Sequence, residues 1–142
     1  MENNKEYQKW LNRLEAYVVS LEHVPKKYKT SALCEVGVKS HGTAIQFVPE
    51  DMITPDLCEL AVRDVGLALA FVPKEFITQE LCAIAVKEYG YALEFVPEEL
   101  KTRELCEIAL EDVLDHFKDE FLESYVPEEL HNEFKKTNER GR

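Results

Sequence analysis

The sequence predicts an all-α fold: a short α-solenoid of 24-residue helix–turn–helix repeats with N- and C-terminal capping helices. Three observations predict it. Cys34, Cys58, Cys82 and Cys106 recur at an interval of 24 residues, as do Pro25, Pro49, Pro73 and Pro97, and Thr30, Thr54, Thr78 and Thr102. Apolar residues after each threonine fall at helical spacing. No stretch alternates apolar and polar residues over the length of a strand, so no sheet is expected.

The first element is an N-terminal capping helix over residues 3–22, with Tyr7, Trp10, Leu11, Leu14, Tyr17, Val18 and Leu21 as its apolar set. Repeats follow at about 23–46, 47–70, 71–94 and 95–126. The first begins as a half motif, Ser20 to Pro25, with His23 in the slot that Phe47, Phe71 and Phe95 occupy later. Inside a repeat, Thr54 stands where an N-cap belongs, with Pro55 at the first helical position and Asp56 in the first turn. Leu57, Cys58, Ala61, Val62 and Val65 then share one helical face, and Leu81, Cys82, Ala85, Val86 and Tyr89 repeat it. Gly66 and Gly90 come just past the last apolar residue, the position of a left-handed C-terminal cap. A shorter helical turn through Ala68, Leu69 and Phe71 ends at Val72, because a residue before proline is pushed out of the helical region. Pro73 opens one more tight turn through Glu75 and Phe76, of 3₁₀ character.

The last repeat differs. Leu114 replaces the glycine, so the helix opened by Thr102 is expected to run on towards Leu122. A short C-terminal helix over 127–136, through Leu130 and Phe134, precedes a polar tail at 137–142. Altered terminal units are how stacked arrays seal their ends, and one 24-residue unit cannot bury enough apolar surface to fold alone. The whole is therefore expected to be a single domain over 1–136.

The unit Leu-Cys-x-x-Ala-Val-x-x-x-Gly-x-Ala-Leu-x-Phe-Val-Pro, as in Leu57 to Pro73 and Leu81 to Pro97, resembles a bacterial repeat family, domain of unknown function 4116. The resemblance covers roughly Ser20 to Leu110. It implies a bacterial or phage origin and a helical tandem array. It implies no activity and carries over no catalytic residues. The segment after Leu110 departs from the family pattern and is the first place to look for what is particular to this chain.

Four cysteines invite a zinc or disulfide reading. Equivalent positions in stacked repeats lie about one helix-packing distance apart, roughly 8–10 Å. A disulfide needs Cα atoms within about 7 Å, and tetrahedral zinc needs four sulfurs at about 2.3 Å from one point. The cysteines are instead expected as small buried hydrophobes, reduced and consistent with a cytoplasmic setting. Asp112, His116 and Asp119 or Glu120 are spaced to share a helical face where a metal could dock, but one histidine on one helix is a poor donor set and a solvated acidic face is the expectation. His23, His41 and His131 are scattered, and the five glycines are single and dispersed, so neither a nucleophilic triad nor a phosphate-cradling loop is present. The ladder Phe47, Phe71, Phe95 could stack bases, but it lacks basic companions and reads as core. No enzyme activity and no cofactor are expected.

Charge is the informative property. The 142 residues hold 17 Lys+Arg and 28 Asp+Glu, for a net charge of -11. Residues 1–42 carry 7 basic and 5 acidic side chains, while residues 43–142 carry 10 and 23. Between Glu98 and Glu129 stand 12 acidic and 3 basic residues, a balance of -9. Direct binding to nucleic acid is disfavoured, since such a surface repels phosphates. The longest nearly apolar run, the eight residues Val65 to Val72, is far short of the roughly 20 that span a bilayer, and the first residues are polar, unlike a secretory signal.

Two functions fit. One is a non-enzymatic protein–protein interaction or scaffold module that steers a basic protein partner by long-range attraction. Its contact positions include those that vary between repeats: Gln46/Ala70/Glu94, Arg63/Lys87/Glu111 and Asp64/Glu88/Asp112. Its acidic partner-binding face comprises Glu104, Glu107, Glu111, Asp112, Asp115, Asp119, Glu120 and Glu123. The other is an acidic, nucleic-acid-mimicking inhibitor of a DNA- or RNA-binding protein, of the phage anti-defence type. Simple solubility also accounts for part of the charge. The sequence carries no signal for oligomeric state.

Overall fold

The structure is a computed structural model that describes residues 2–140, with side chains from 4 to 136. Its regular elements are all helical, and no strand occurs among the described residues. The chain opens with α1 (Glu2–Glu15), then α2 (Ser31–Ser40), α3 (Pro55–Asp64), α4 (Gln79–Glu88) and α5 (Arg103–Glu111). The final helices are α6 (Lys118–Tyr125) and α7 (Glu128–Arg140). The expected tail at 137–142 is therefore helical through Arg140, and the last two residues lie outside the described ones.

Threonine opens α2 to α5 as expected. The hydroxyls of Thr30, Thr54, Thr78 and Thr102 accept the N–H of Leu33, Leu57, Leu81 and Leu105 at 3.2, 3.2, 3.1 and 3.3 Å. Each of these helices then buries its Leu-Cys pair and the small residue one turn on, such as Leu57, Cys58 and Ala61, or Leu81, Cys82 and Ala85. Six-residue 3₁₀ segments follow at Gly42–Phe47, Gly66–Phe71 and Gly90–Phe95, and a second tight turn follows each at Glu50–Met52, Lys74–Phe76 and Glu98–Leu100. Val48, Val72 and Val96 between them are extended, at ψ near 130°, because a proline comes next. Helices α1 to α5 adjoin one another in chain order, and the six-residue 3₁₀ segments adjoin in a second row that packs on α2 to α5. The core runs unbroken between the rows, with no polar or charged side chain buried among the described residues.

Three expectations are corrected. Gly42, Gly66 and Gly90 are not left-handed caps, since no glycine among the described residues has a positive φ. Glycine is required there by close approach: a Cβ on Gly42, Gly66 or Gly90 would lie 2.4, 2.5 or 2.4 Å from the carbonyl oxygen of Ala61, Ala85 or Ala109 in the following helix. Leu114 shows the complementary case. At the next position in phase it is 63% exposed.

The expected helix from Thr102 to Leu122 is broken. Helix α5 ends at Glu111, Asp112 caps it, Val113 turns into the core at 4% exposure, and a 3₁₀ turn at Asp115–Phe117 leads into α6. Glycine was never what stopped these helices, so its loss at 114 does not prolong one. The stop coincides with a carboxylate tie: Asp64 accepts the N–H of Gly42 at 2.7 Å, and Asp112 accepts that of Gly90 at 2.9 Å.

The N-terminal helix, expected to reach residue 22, stops at Glu15. Tyr17 adopts φ 57°, the N–H of Val18 donates to Arg13 and that of Tyr17 to Leu14, at 2.9 and 3.0 Å. This is a Schellman cap with tyrosine in the usual glycine position. Tyr17 and Val18 leave the expected apolar stripe and stand 66% exposed.

Candidate interaction surface

The acidic residues singled out in the sequence fall on two helices with a turn between them. Glu104, Glu107 and Glu111 follow one another at i, i+3 and i+7 along α5, and Asp119, Glu120 and Glu123 at i, i+1 and i+4 along α6. All eight residues of the set are exposed.

Three of the eight are already engaged. Glu107 pairs with Arg103 at 3.3 Å, and the same guanidinium reaches Glu133 of α7 at 2.7 Å. Asp115 receives the Lys118 ammonium at 2.7 Å, which holds its carboxyl below the ordinary aspartate value. Asp112 is the tie to Gly90, and Asp64 does the same for Gly42, so these two members of the variable set hold adjacent units together. Among the described residues, Glu104, Glu111, Asp119, Glu120 and Glu123 have no cationic partner.

Beside the α6 carboxylates lies a feature the sequence reading missed. A cavity of about 200 Å³ is lined by Tyr91, Phe117, Glu120, Phe121, Ser124 and Tyr125. Five of these six follow one another at i, i+3, i+4, i+7 and i+8 from Phe117, one face of the α6 turn. Tyr91 comes from the Gly90–Phe95 segment and meets that face edge-on: its ring centroid lies 5.1 Å from Phe121 at 87° and 6.0 Å from Tyr125 at 82°. Phe121 is buried to 1% exposure, whereas Phe117 is 42% exposed with the His116 ring 4.1 Å away. The signal was present as Phe117, Phe121 and Tyr125 at four-residue spacing in the one unit that leaves the repeat.

The other sequence candidates stay apart. All four cysteines are buried free thiols, and burial raises each of them, with Cys58, Cys82 and Cys106 pushed up to about 11. No group of three His, Cys, Asp or Glu side chains gathers where it could hold a metal among the described residues, so Asp112, His116, Asp119 and Glu120 form no such set. His131 is engaged with the Val126 carbonyl at 2.8 Å. Of the phenylalanine ladder, Phe47 and Phe95 are half-buried and Phe71 is 40% exposed, while His23 in the same slot is exposed. No helix is long and apolar enough to cross a membrane among the described residues. No family model matches this chain, and no curated protein or solved structure matches it significantly.

Proposed function

We propose that this chain is a non-enzymatic interaction module: a short α-solenoid of 24-residue helix–turn–helix units that docks a basic protein partner on its C-terminal acidic surface. Helices and 3₁₀ segments that recur in phase and adjoin in order support the solenoid. The recurring Leu-Cys to Phe-Val-Pro unit supports placing it with the helical repeat family it resembles. Four buried thiols support a reducing, cytoplasmic setting. The observation that carries the functional reading is the set of five carboxylates without cationic partners on α5 and α6. They lie where the chain departs from its own repeat. Asp64 and Asp112, by contrast, are taken up in the ties between adjacent units.

The test is a pull-down from source lysate at low and moderate salt. It compares the wild type with a variant carrying Glu104→Lys, Glu111→Lys, Asp119→Lys and Glu123→Lys. A protein recovered by the wild type and lost by the folded variant is the expected result. Recovery of no partner at either salt, or of the same partner by both, overturns the reading. Affinity that falls steeply with ionic strength, for a partner that otherwise binds DNA or RNA, would move the assignment to the nucleic-acid mimic.

A further inference from the structure

The aromatic cavity on α6 is a different kind of surface from the carboxylates around it. Its volume, about 200 Å³, is below the roughly 300–1,000 Å³ of sites for drug-sized molecules, and suits a single inserted side chain. Tyr91, Phe121 and Tyr125 meet at steep interplanar angles of 87°, 82° and 56°, so their rings present adjoining walls instead of one stacked column. Ring faces carry negative charge density and attract cations. Glu120 adds a full negative charge at the wall, with no cationic partner among the described residues. The only lysine on α6, Lys118, is held by Asp115 at 2.7 Å. Phe117, one of the lining residues, is 42% exposed. Aromatic walls with a carboxylate, in a segment whose net charge is -9, are complementary to a cation.

We propose that this cavity receives one lysine or arginine side chain of the basic partner, held by the rings of Tyr91, Phe117 and Tyr125 and by the Glu120 carboxylate. The inference rests on the interaction-module reading and locates its anchor: the carboxylates on α5 and α6 attract at long range, and the cavity fixes the register by taking one side chain. Phe121 is the floor and a core residue; Phe117 and Glu120 are the exposed members through which the cavity is tested without disturbing the core.

The experiment is a ¹⁵N–¹H NMR titration of the full chain with the blocked amides of arginine, lysine and citrulline, the last being the neutral counterpart of arginine. Saturable shifts are expected for arginine or lysine, centred on Tyr91, Phe117, Phe121 and Tyr125, with citrulline at least threefold weaker. Phe117→Ala and Glu120→Gln, with the rest of the spectrum unchanged, are each expected to weaken binding at least threefold. Shifts absent for both cations, equal for citrulline, or unaltered by both variants overturn the proposal. The two readings fail separately. A partner that is captured by the Phe117→Ala and Glu120→Gln proteins as well as by the wild type leaves the module standing without this anchor. A failed capture leaves the titration to decide the cavity by itself.

Discussion

Gly66 is bounded by the backbone of the next unit, so a methyl group there has nowhere to go. Its Cβ would lie 2.5 Å from the Ala85 carbonyl oxygen and 3.0 Å from the Tyr89 Cβ, atoms that move only if α4 moves. Gly66→Ala is expected to cost about 3 kcal/mol in urea unfolding. Leu114→Gly, at the equivalent but exposed position, should cost less than about 1 kcal/mol. Equal effects would show that the close approach does not matter. The cysteines make a second residue-scale prediction. The folded thiols of Cys58, Cys82 and Cys106 titrate near 11, against 9.0 for an ordinary thiol, because burial disfavours the thiolate. Below pH 9 both the folded and unfolded chains keep the proton and stability is unaffected. As pH rises from 9 to 11 the unfolded chain loses protons that the folded one retains, and stability falls. The melting temperature should hold level from pH 7 to 9 and drop by more than about 5 °C by pH 10.5. Cys82→Ala should flatten that fall. The burial of these thiols was legible in the sequence from their place beside a leucine on the apolar helix face.

At the scale of elements, starts were more legible than stops. A threonine hydroxyl caps its helix through a local hydrogen bond three residues on, so Thr30, Thr54, Thr78 and Thr102 mark α2 to α5 from sequence alone. The stops carry no comparable local signal, and α4 ends at Glu88 without the tie that accompanies the ends of α3 and α5. The end of α5 coincides with the reach of Asp112 to Gly90, 22 residues back, which no local pattern encodes. The end of α1 was hidden for another reason: Tyr17 fills a left-handed position that normally announces itself as glycine. L-residues other than glycine are strained there by roughly 1–2 kcal/mol. The tyrosine ring recovers part of this through its edge contact with His41, at 5.9 Å. Tyr17→Gly is therefore expected to stabilise the protein by about 0.5–1 kcal/mol, read as a higher urea midpoint with unchanged slope. A loss of stability would mean that the ring contact outweighs the backbone strain.

For the whole molecule, the periodicity of Cys, Pro and Thr was enough to read an all-helical chain with a continuous core, because burial in each unit is dictated by the same few positions. The acidic surface was legible only as composition. Side chains that look alike in sequence, such as Asp112 and Glu111, separate into a structural tie and an unengaged carboxylate only when the neighbouring unit is in place. The aromatic cavity needed the third dimension, since Tyr91 lies 26 residues before Phe117. If units are interchangeable, removing residues 47–70 brings Gln46 to Phe71 and keeps every later position in phase. The shortened protein is expected to remain helical by circular dichroism, to unfold in one transition, and to melt at a lower temperature. A chain that loses its helicity would show that neighbouring units are individually matched.

The bare backbone at residues 42, 66 and 90, set against the bulky leucine at 114, also bears on how such a protein can lengthen over evolutionary time. A duplicated segment inserted upstream of Glu111 would meet a smooth landing site at both of its junctions. One packed onto the face beyond Leu114 would meet a leucine side chain where residues 42, 66 and 90 offer bare backbone. A tandem copy is therefore accommodated between existing units with less repacking than beyond residue 114.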